Sequence, residues 1–390
     1  MHSKGWRKLF AYACVAALAM TFGLAGTASA ADPIKIAVPS PYTGPAAAYG
    51  DNVKAGVAMM VEEVNAAGGV NGRMIEAVYL DEQCDPKEAA TVATKIVQND
   101  DIVAIVGHLC SSAHLAALPN YVRKGIPAIS PTATNVSISE KNKDRKGRVW
   151  SFRNVYRDDF QGGFLARYAN QVLGLDKIAV FYENNDYGIG LKDAFVGKAN
   201  EIGVNIVGEE AYVKGTTDFT PQLTSLKQDN PDGLFISGYY NEGALIATQA
   251  QKLGMDVAKF GADGLDNVDY INLAKDAAEN TYLTTPFLAS AASPKAKKFL
   301  ERFQEKYNRE SDYMSVNAYD AAGILVEAIR NAGADREAIR DYLASMTSPE
   351  KAYKGVGGLT YFNEHGDSQK PAYVKMVKDG SFVAAPKQLD

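Results

Sequence analysis

Between Ile34 and Ala262 the chain alternates short apolar runs with longer segments of helical spacing, and this alternation limits the fold more than any other feature. Strands are expected at Ile34–Pro39, Met74–Leu80, Ile102–Val106, Ile126–Ser130, Lys177–Tyr182, Val204–Tyr212, Gly233–Ser237 and Lys259–Ala262. Helices fill the gaps: Val53, Val57, Met60, Val61 and Val64 recur on one face, and Gly68-Gly69 stops that helix. Strand, helix, strand in strict order means parallel sheets covered by helices with right-handed crossovers. Runs as apolar as Ile-Val-Ala-Ile-Val and Gly-Leu-Phe-Ile-Ser are buried on both faces. Ligands of such sheets bind beyond the carboxyl ends of the strands.

One stretch concentrates the chemistry there. The strand Ile102–Val106 ends in Gly-His-Leu-Cys-Ser-Ser112, a helix runs to about Lys124, and a strand Ile126–Ser130 leads into Pro-Thr-Ala-Thr134. Two strand ends and a helix N-terminus then meet in one place. Orphan N–H groups, the helix dipole and the hydroxyls of Ser111, Ser112 and Thr134 suit the carboxylate of a small ligand.

The first thirty residues stand apart. Lys4, Arg7 and Lys8 precede an apolar Leu9–Leu24 and an Ala28-Ser29-Ala30 cleavage signal, so residues 1–30 read as a signal peptide and Ala31 as the mature start. The remainder is too long for one core. Breaks in the pattern near Trp150–Asn154, Thr284–Pro286 and Tyr361–Asn363 divide it into an N-terminal lobe (31–152 and 285–361) and a C-terminal lobe (153–284 and 362–390). The helices expected after the second break are Lys295–Tyr307, Tyr313–Asn331 and Asp335–Ser345. The formal charge of −5 becomes about −8 once the three leader cations go, which argues against nucleic acid and anionic membranes as partners. In an exported chain, Cys84 and Cys110 are expected to form a disulfide; Asp85, His108 and His114 make a metal site the rival, but their spacing fits no compact Cys/His motif.

The chain resembles the exported substrate-binding proteins of branched-chain amino acid (Leu/Ile/Val) ABC transporters. The resemblance spans essentially all of it. Its carriers include Thr43-Gly-Pro with Tyr49-Gly-Asp, Asn65–Gly72, Gly107–Ser112, Ser130–Thr134, Asp186-Tyr-Gly-Ile-Gly190, Gly238-Tyr-Tyr-Asn-Glu242 and Gly261-Ala-Asp-Gly264. It implies a type I periplasmic binding fold, α/β, with two doubly wound parallel-sheet domains joined by a three-segment hinge. It implies that Ser111 and Thr134, with Ser112 beside them, hold a ligand carboxylate. The Thr132 carbonyl and Asp263 would take the ammonium, Tyr187 and Tyr239 would close from the second lobe, and Tyr49 would wall the side-chain pocket. The Cys84–Cys110 pairing agrees with the family's disulfide. The implied partners are an amino acid and the permease subunits of a transporter in the inner membrane, with a monomer in the periplasm and no cofactor.

Two departures bear on the ligand. Asp263 is shorter than the glutamate usual in leucine-binding members, and Met314 stands where a phenylalanine is expected. Both leave room for a broader or more polar amino acid, an amide, or a sensing role on the same fold. An enzyme is disfavoured: no Gly-x-Ser-x-Gly elbow surrounds Ser111 or Ser112, and no Gly-x-Gly-x-x-Gly follows the first strand. His108 and His114 read as structural.

Overall fold

The computed structural model describes residues 32–389; the expected signal peptide, residues 1–30, lies outside the described residues. The first sheet comprises β1 (Ile34–Ser40), β2 (Ile75–Asp81), β3 (Ile102–Val106), β4 (Ala128–Ser130) and β5 (Ser151–Arg153). Its order is β2-β1-β3-β4-β5, parallel throughout. The second sheet takes β6 (Lys177–Glu183), β7 (Asn205–Tyr212), β8 (Gly233–Ser237), β9 (Ala258–Gly261) and β10 (Thr281–Thr285). After a two-stranded hairpin of β11 (Tyr353–Gly355) and β12 (Gly358–Thr360), β13 (Tyr373–Lys378) and β14 (Ser381–Ala384) return to it. Its order is β14-β13-β10-β9-β8-β6-β7, with β13 and β14 antiparallel.

Both sheets are doubly wound. Strand order reverses at β1/β3 in the first and at β6/β8 in the second. At such a point the crossovers leave in opposite directions and open a crevice beyond the strand ends. Central strands are buried as their composition demands: Ile36, Val38, Ala104 and Val106 in the first sheet and Val180, Phe181, Phe235 and Ile236 in the second are inaccessible. The helix Tyr313–Ala332 lies between elements rather than on the surface, with most of its residues buried.

Several elements escape the alternation read from sequence. The short β5 and the strands from β10 onward are three to six residues long, and β11–β14 lack a helical partner segment. The helix Asp158–Gln171 is also absent from that reading, because Gly162-Gly163 interrupts its pattern. Glycine there serves packing. A Cβ on Gly162 would sit 2.7 Å from Ala194 Cβ and 2.9 Å from Phe195 N, so its absence lets this helix lie directly on the helix Asp186–Glu201.

Cys84 and Cys110 are joined, their Cα atoms 5.5 Å apart. Cys110 is the N-cap residue of the helix Ser111–Lys124, so the bridge ties the loop after β2 to the helix start. Among the described residues no helix is long and apolar enough to cross a membrane.

Candidate functional site

The two crevices face each other. Between them is a narrow cavity, lined by Tyr49, Leu109, Ser111, Thr132 and Met314 from one side and by Tyr187, Tyr239 and Asp263 from the other.

The first wall is built on β3 and β4. Gly107 N bonds Ile129 O at 2.9 Å, Ser130 Oγ donates to His108 O at 2.7 Å, and Thr132 Oγ1 donates to Leu109 O at 2.8 Å. Asn135 N donates to Ser111 Oγ at 3.3 Å. These bonds lace the two strand-end turns together and fix the N-terminus of the helix Ser111–Lys124 against the cavity. Beneath lie the two histidines. His114 Nδ1 accepts from His108 N at 3.1 Å and its Nε2 meets Ser151 Oγ at 2.7 Å, so the ring is a neutral spacer, and burial pushes its pKa well down. His108 Nε2 meets Tyr121 OH at 2.7 Å. Both support the turn from behind.

The opposite wall is acidic. Asp263 Oδ1 accepts from Tyr187 OH at 2.9 Å and from Gln161 Nε2 at 3.3 Å, while its Oδ2 is buried with no partner. Gln161 Nε2 also donates to Asp158 Oδ1 at 2.8 Å, and Asp158 Oδ2 is likewise unpartnered. One amide thus bridges two carboxylates. Burial, reinforced by the charge of Asp158, pushes the Asp263 carboxyl up to about 7; burial pushes Asp158 up to about 6. Two buried carboxylates with free oxygens form a seat for a cation, since a charge removed from water needs a partner. The buried Oγ1 of Thr134 also lacks a partner, and Thr134 O accepts the backbone N–H of Asp158 at 3.0 Å. The helix-end donors at Ser111 and the carboxylate of Asp263 therefore line one cavity, with Thr134 and Asp158 side by side behind it, groups that can pair with both charges of an α-amino acid.

Contacts across the cleft hold it shut. Tyr49 OH donates to Gly264 O and accepts from Tyr240 N at 3.1 Å, and Tyr240 OH donates to Pro45 O at 2.8 Å. Tyr313 OH donates to Asp263 O at 3.3 Å. Tyr187 and Tyr239 stack with centroids 5.0 Å apart and form one wall.

Of the eight residues expected from sequence, Tyr49, Ser111, Thr132, Tyr187, Tyr239 and Asp263 line the cavity. Thr134 stands just behind, beside Asp158. Ser112 is occupied elsewhere: its Oγ accepts the Asp186 N–H at 3.0 Å across the cleft. Asp158, Gln161 and Tyr313 were not read from sequence. An Asp-Asp pair opening a helix carries only an ordinary N-terminal signal, and nothing local marks it as facing a ligand.

A family model described as "Periplasmic binding protein" matches residues 33–381. The chain is 33% identical over 346 residues to a Pseudomonas aeruginosa "Leucine-, isoleucine-, valine-, threonine-, and alanine-binding protein", covering 88% of this chain and 90% of that one. Among solved structures it is similar to the Streptococcus pneumoniae branched-chain amino acid transporter substrate-binding protein LivJ in complex with isoleucine, at 32% identity and TM-score 0.84, covering 92% of this chain and 99% of that one. It is also similar to the leucine-binding protein LivK of Thermotoga maritima, at 33% identity and TM-score 0.82, covering 90% and 97%.

Proposed function

The chain belongs to the periplasmic binding protein family, and from that premise we propose that it captures a free aliphatic or small hydroxyl α-amino acid between two closing lobes and delivers it to an ABC transporter permease. It is an extracytoplasmic binding protein, not an enzyme. The periplasm as its compartment, residues 1–30 as its signal peptide and a monomeric state belong to the same proposal. So does the division into lobes 31–152 with 285–361 and 153–284 with 362–390. The separate membership of β1–β5 and β6–β10 with β13–β14 in two sheets supports that division.

One observation carries the reading: Ser111 and the start of its helix line the same cavity as Asp263, a buried carboxylate with one oxygen unpartnered that Gln161 links to Asp158. Ser111, Thr134 and the N-terminal N–H groups of the helix Ser111–Lys124 take the ligand carboxylate, with Ser112 steadying the closed cleft. Asp263, Asp158 and the Thr132 carbonyl take the ammonium. Tyr49, Leu109 and Met314 pack on the side chain, and Tyr187 with Tyr239 shuts out water. Exclusion of water strengthens each charge-assisted bond. Asp263 is one methylene shorter than a glutamate, and Asp158, bridged to it through Gln161, supplies the second half of the ammonium seat.

The test is a thermal-shift screen of ligand-stripped mature protein against the common amino acids, amides and small organic acids. A rise in melting temperature with leucine, isoleucine, valine, threonine or alanine is expected. A rise only with amides or organic acids would refute the zwitterion seat.

A further inference from the structure

Beyond Tyr49 and Tyr239 the cleft continues into a second cavity, lined by Pro45 and Cys84 on one side and by Glu183, Lys214 and Glu242 on the other. The same two tyrosines line both cavities, their rings in edge contact with centroids 5.9 Å apart. Nothing in the amino acid clamp uses the second one.

Its chemistry is unbalanced. Glu183, the last residue of β6, is 2% exposed, and its Oε2 has no hydrogen-bond partner. Glu242 is 3% exposed and gives Oε1 to Gly215 N at 3.0 Å. The hydroxyl of the buried Tyr212 is also without a partner. Lys214 is the cation beside them, and its Nζ already reaches across the cleft to Gln83 O at 2.6 Å. Two buried carboxyl groups thus share one ammonium, and Glu183 keeps its proton near neutral pH while the pocket is empty. Buried acids retained for structure alone are ordinarily hydrogen-bonded to saturation, whereas Glu183, which lines this cavity, has one oxygen without a partner.

We propose that this cavity is a subsite for a cationic group at the end of the ligand's side chain, so that the protein accepts an α,ω-diamino acid beside its aliphatic ligands. The inference rests on the amino acid reading of the first cavity. With the α-carboxylate at Ser111 and the α-ammonium at Asp263, the side chain points at the Tyr49–Tyr239 contact, and a long side chain reaches the second cavity by parting those two rings. Aromatic walls suit the methylenes of such a side chain, and ring faces also attract the cation that follows them. The terminal ammonium then donates to Glu183 Oε2 as that carboxyl gives up its proton to solvent. Burial, with Glu242 adding to it and Lys214 opposing it, pushes the Glu183 carboxyl up to about 8, and a seated cation reverses that shift.

Titration calorimetry of ligand-stripped wild type and Glu183→Gln with leucine, ornithine, lysine and glutamine tests this. Wild type is expected to bind ornithine or lysine. Glu183→Gln is expected to weaken that binding at least tenfold while leucine affinity stays within threefold, which also shows the variant is folded. Three results would overturn the inference: leucine bound by wild type but neither diamino acid, an equal loss for leucine and ornithine in the variant, or a Glu183-dependent gain confined to uncharged glutamine. Binding of no α-amino acid at all would instead bring down the reading of the first cavity, and the inference with it.

Discussion

Replacing Asp263 by asparagine should move stability and affinity in opposite directions. The carboxyl is fully buried, one oxygen has no partner, and it is pushed up to about 7. Keeping it ionised in the empty closed site above pH 7 therefore costs roughly 4 kcal/mol relative to an exposed aspartate, at 1.36 kcal/mol per tenfold change in proton affinity. Asparagine keeps the bonds from Tyr187 and Gln161 within reach and removes the charge. The ligand-free variant should be as stable as wild type or more so. The gain stays below that ceiling because the empty protein can open and hydrate the group. The same charge is half of the ammonium seat. Its loss should cost about 3 kcal/mol of binding, the scale of a charge-assisted hydrogen bond in a desolvated site, or roughly a hundredfold in Kd. Calorimetric titration with leucine gives the affinity and scanning calorimetry at pH 8 gives the stability. A variant that is clearly less stable when empty yet binds leucine within threefold of wild type would refute the assignment.

Other outcomes follow from the same geometry. Thr134→Val removes a buried hydroxyl that has no partner in the empty site, so ligand-free melting should not fall while leucine affinity drops roughly tenfold or more. Arg153 Nε pairs with Asp367 Oδ1 at 2.7 Å, both buried, and its NH1 holds the carbonyls of Ala133 and Asn135 at 3.3 and 3.1 Å. Breaking such a pair costs about 3–5 kcal/mol, so Arg153→Gln should lower the melting temperature by about 4–7 °C and Arg153→Met with Asp367→Leu should recover part of it. Ligand-free stability should fall as pH rises from about 4 to about 8. The carboxyls of Asp158, Asp263 and Glu183 are raised to about 6, 7 and 8, so in that window the folded state binds more protons than the unfolded. With saturating leucine the pH dependence should flatten, because an ammonium lowers the two aspartates again; melting curves across that range with and without ligand check it.

What the sequence made legible were features with a local signature. Buried parallel strands announce themselves as unbroken apolar runs, and β1, β3, β6 and β8 lie where those runs lie. The carboxylate end was legible because a glycine-led turn, two serines and a helix start sit together in Gly107–Ser112. The ammonium end was not. Asp263 came from the resemblance, since Ala-Asp-Gly is ordinary turn chemistry. Asp158 and Gln161 reach the site only because Gly162 lets their helix press onto the helix Asp186–Glu201, a tertiary fact with no sequence period. Ser112 shows the converse. It looks equivalent to Ser111 in the chain, yet one residue of helical rotation turns its hydroxyl to Asp186 across the cleft.

On the proposed reading, one cavity binds both ends of a zwitterion. Titration of the ligand-stripped protein with leucine, with 4-methylpentanoate, which lacks the ammonium, and with isoamylamine, which lacks the carboxylate, tests it most directly. Leucine should bind at least a hundredfold tighter than either half-ligand. Equal binding of leucine and 4-methylpentanoate would contradict the role of Asp158 and Asp263, and equal binding of leucine and isoamylamine would contradict that of Ser111 and Thr134.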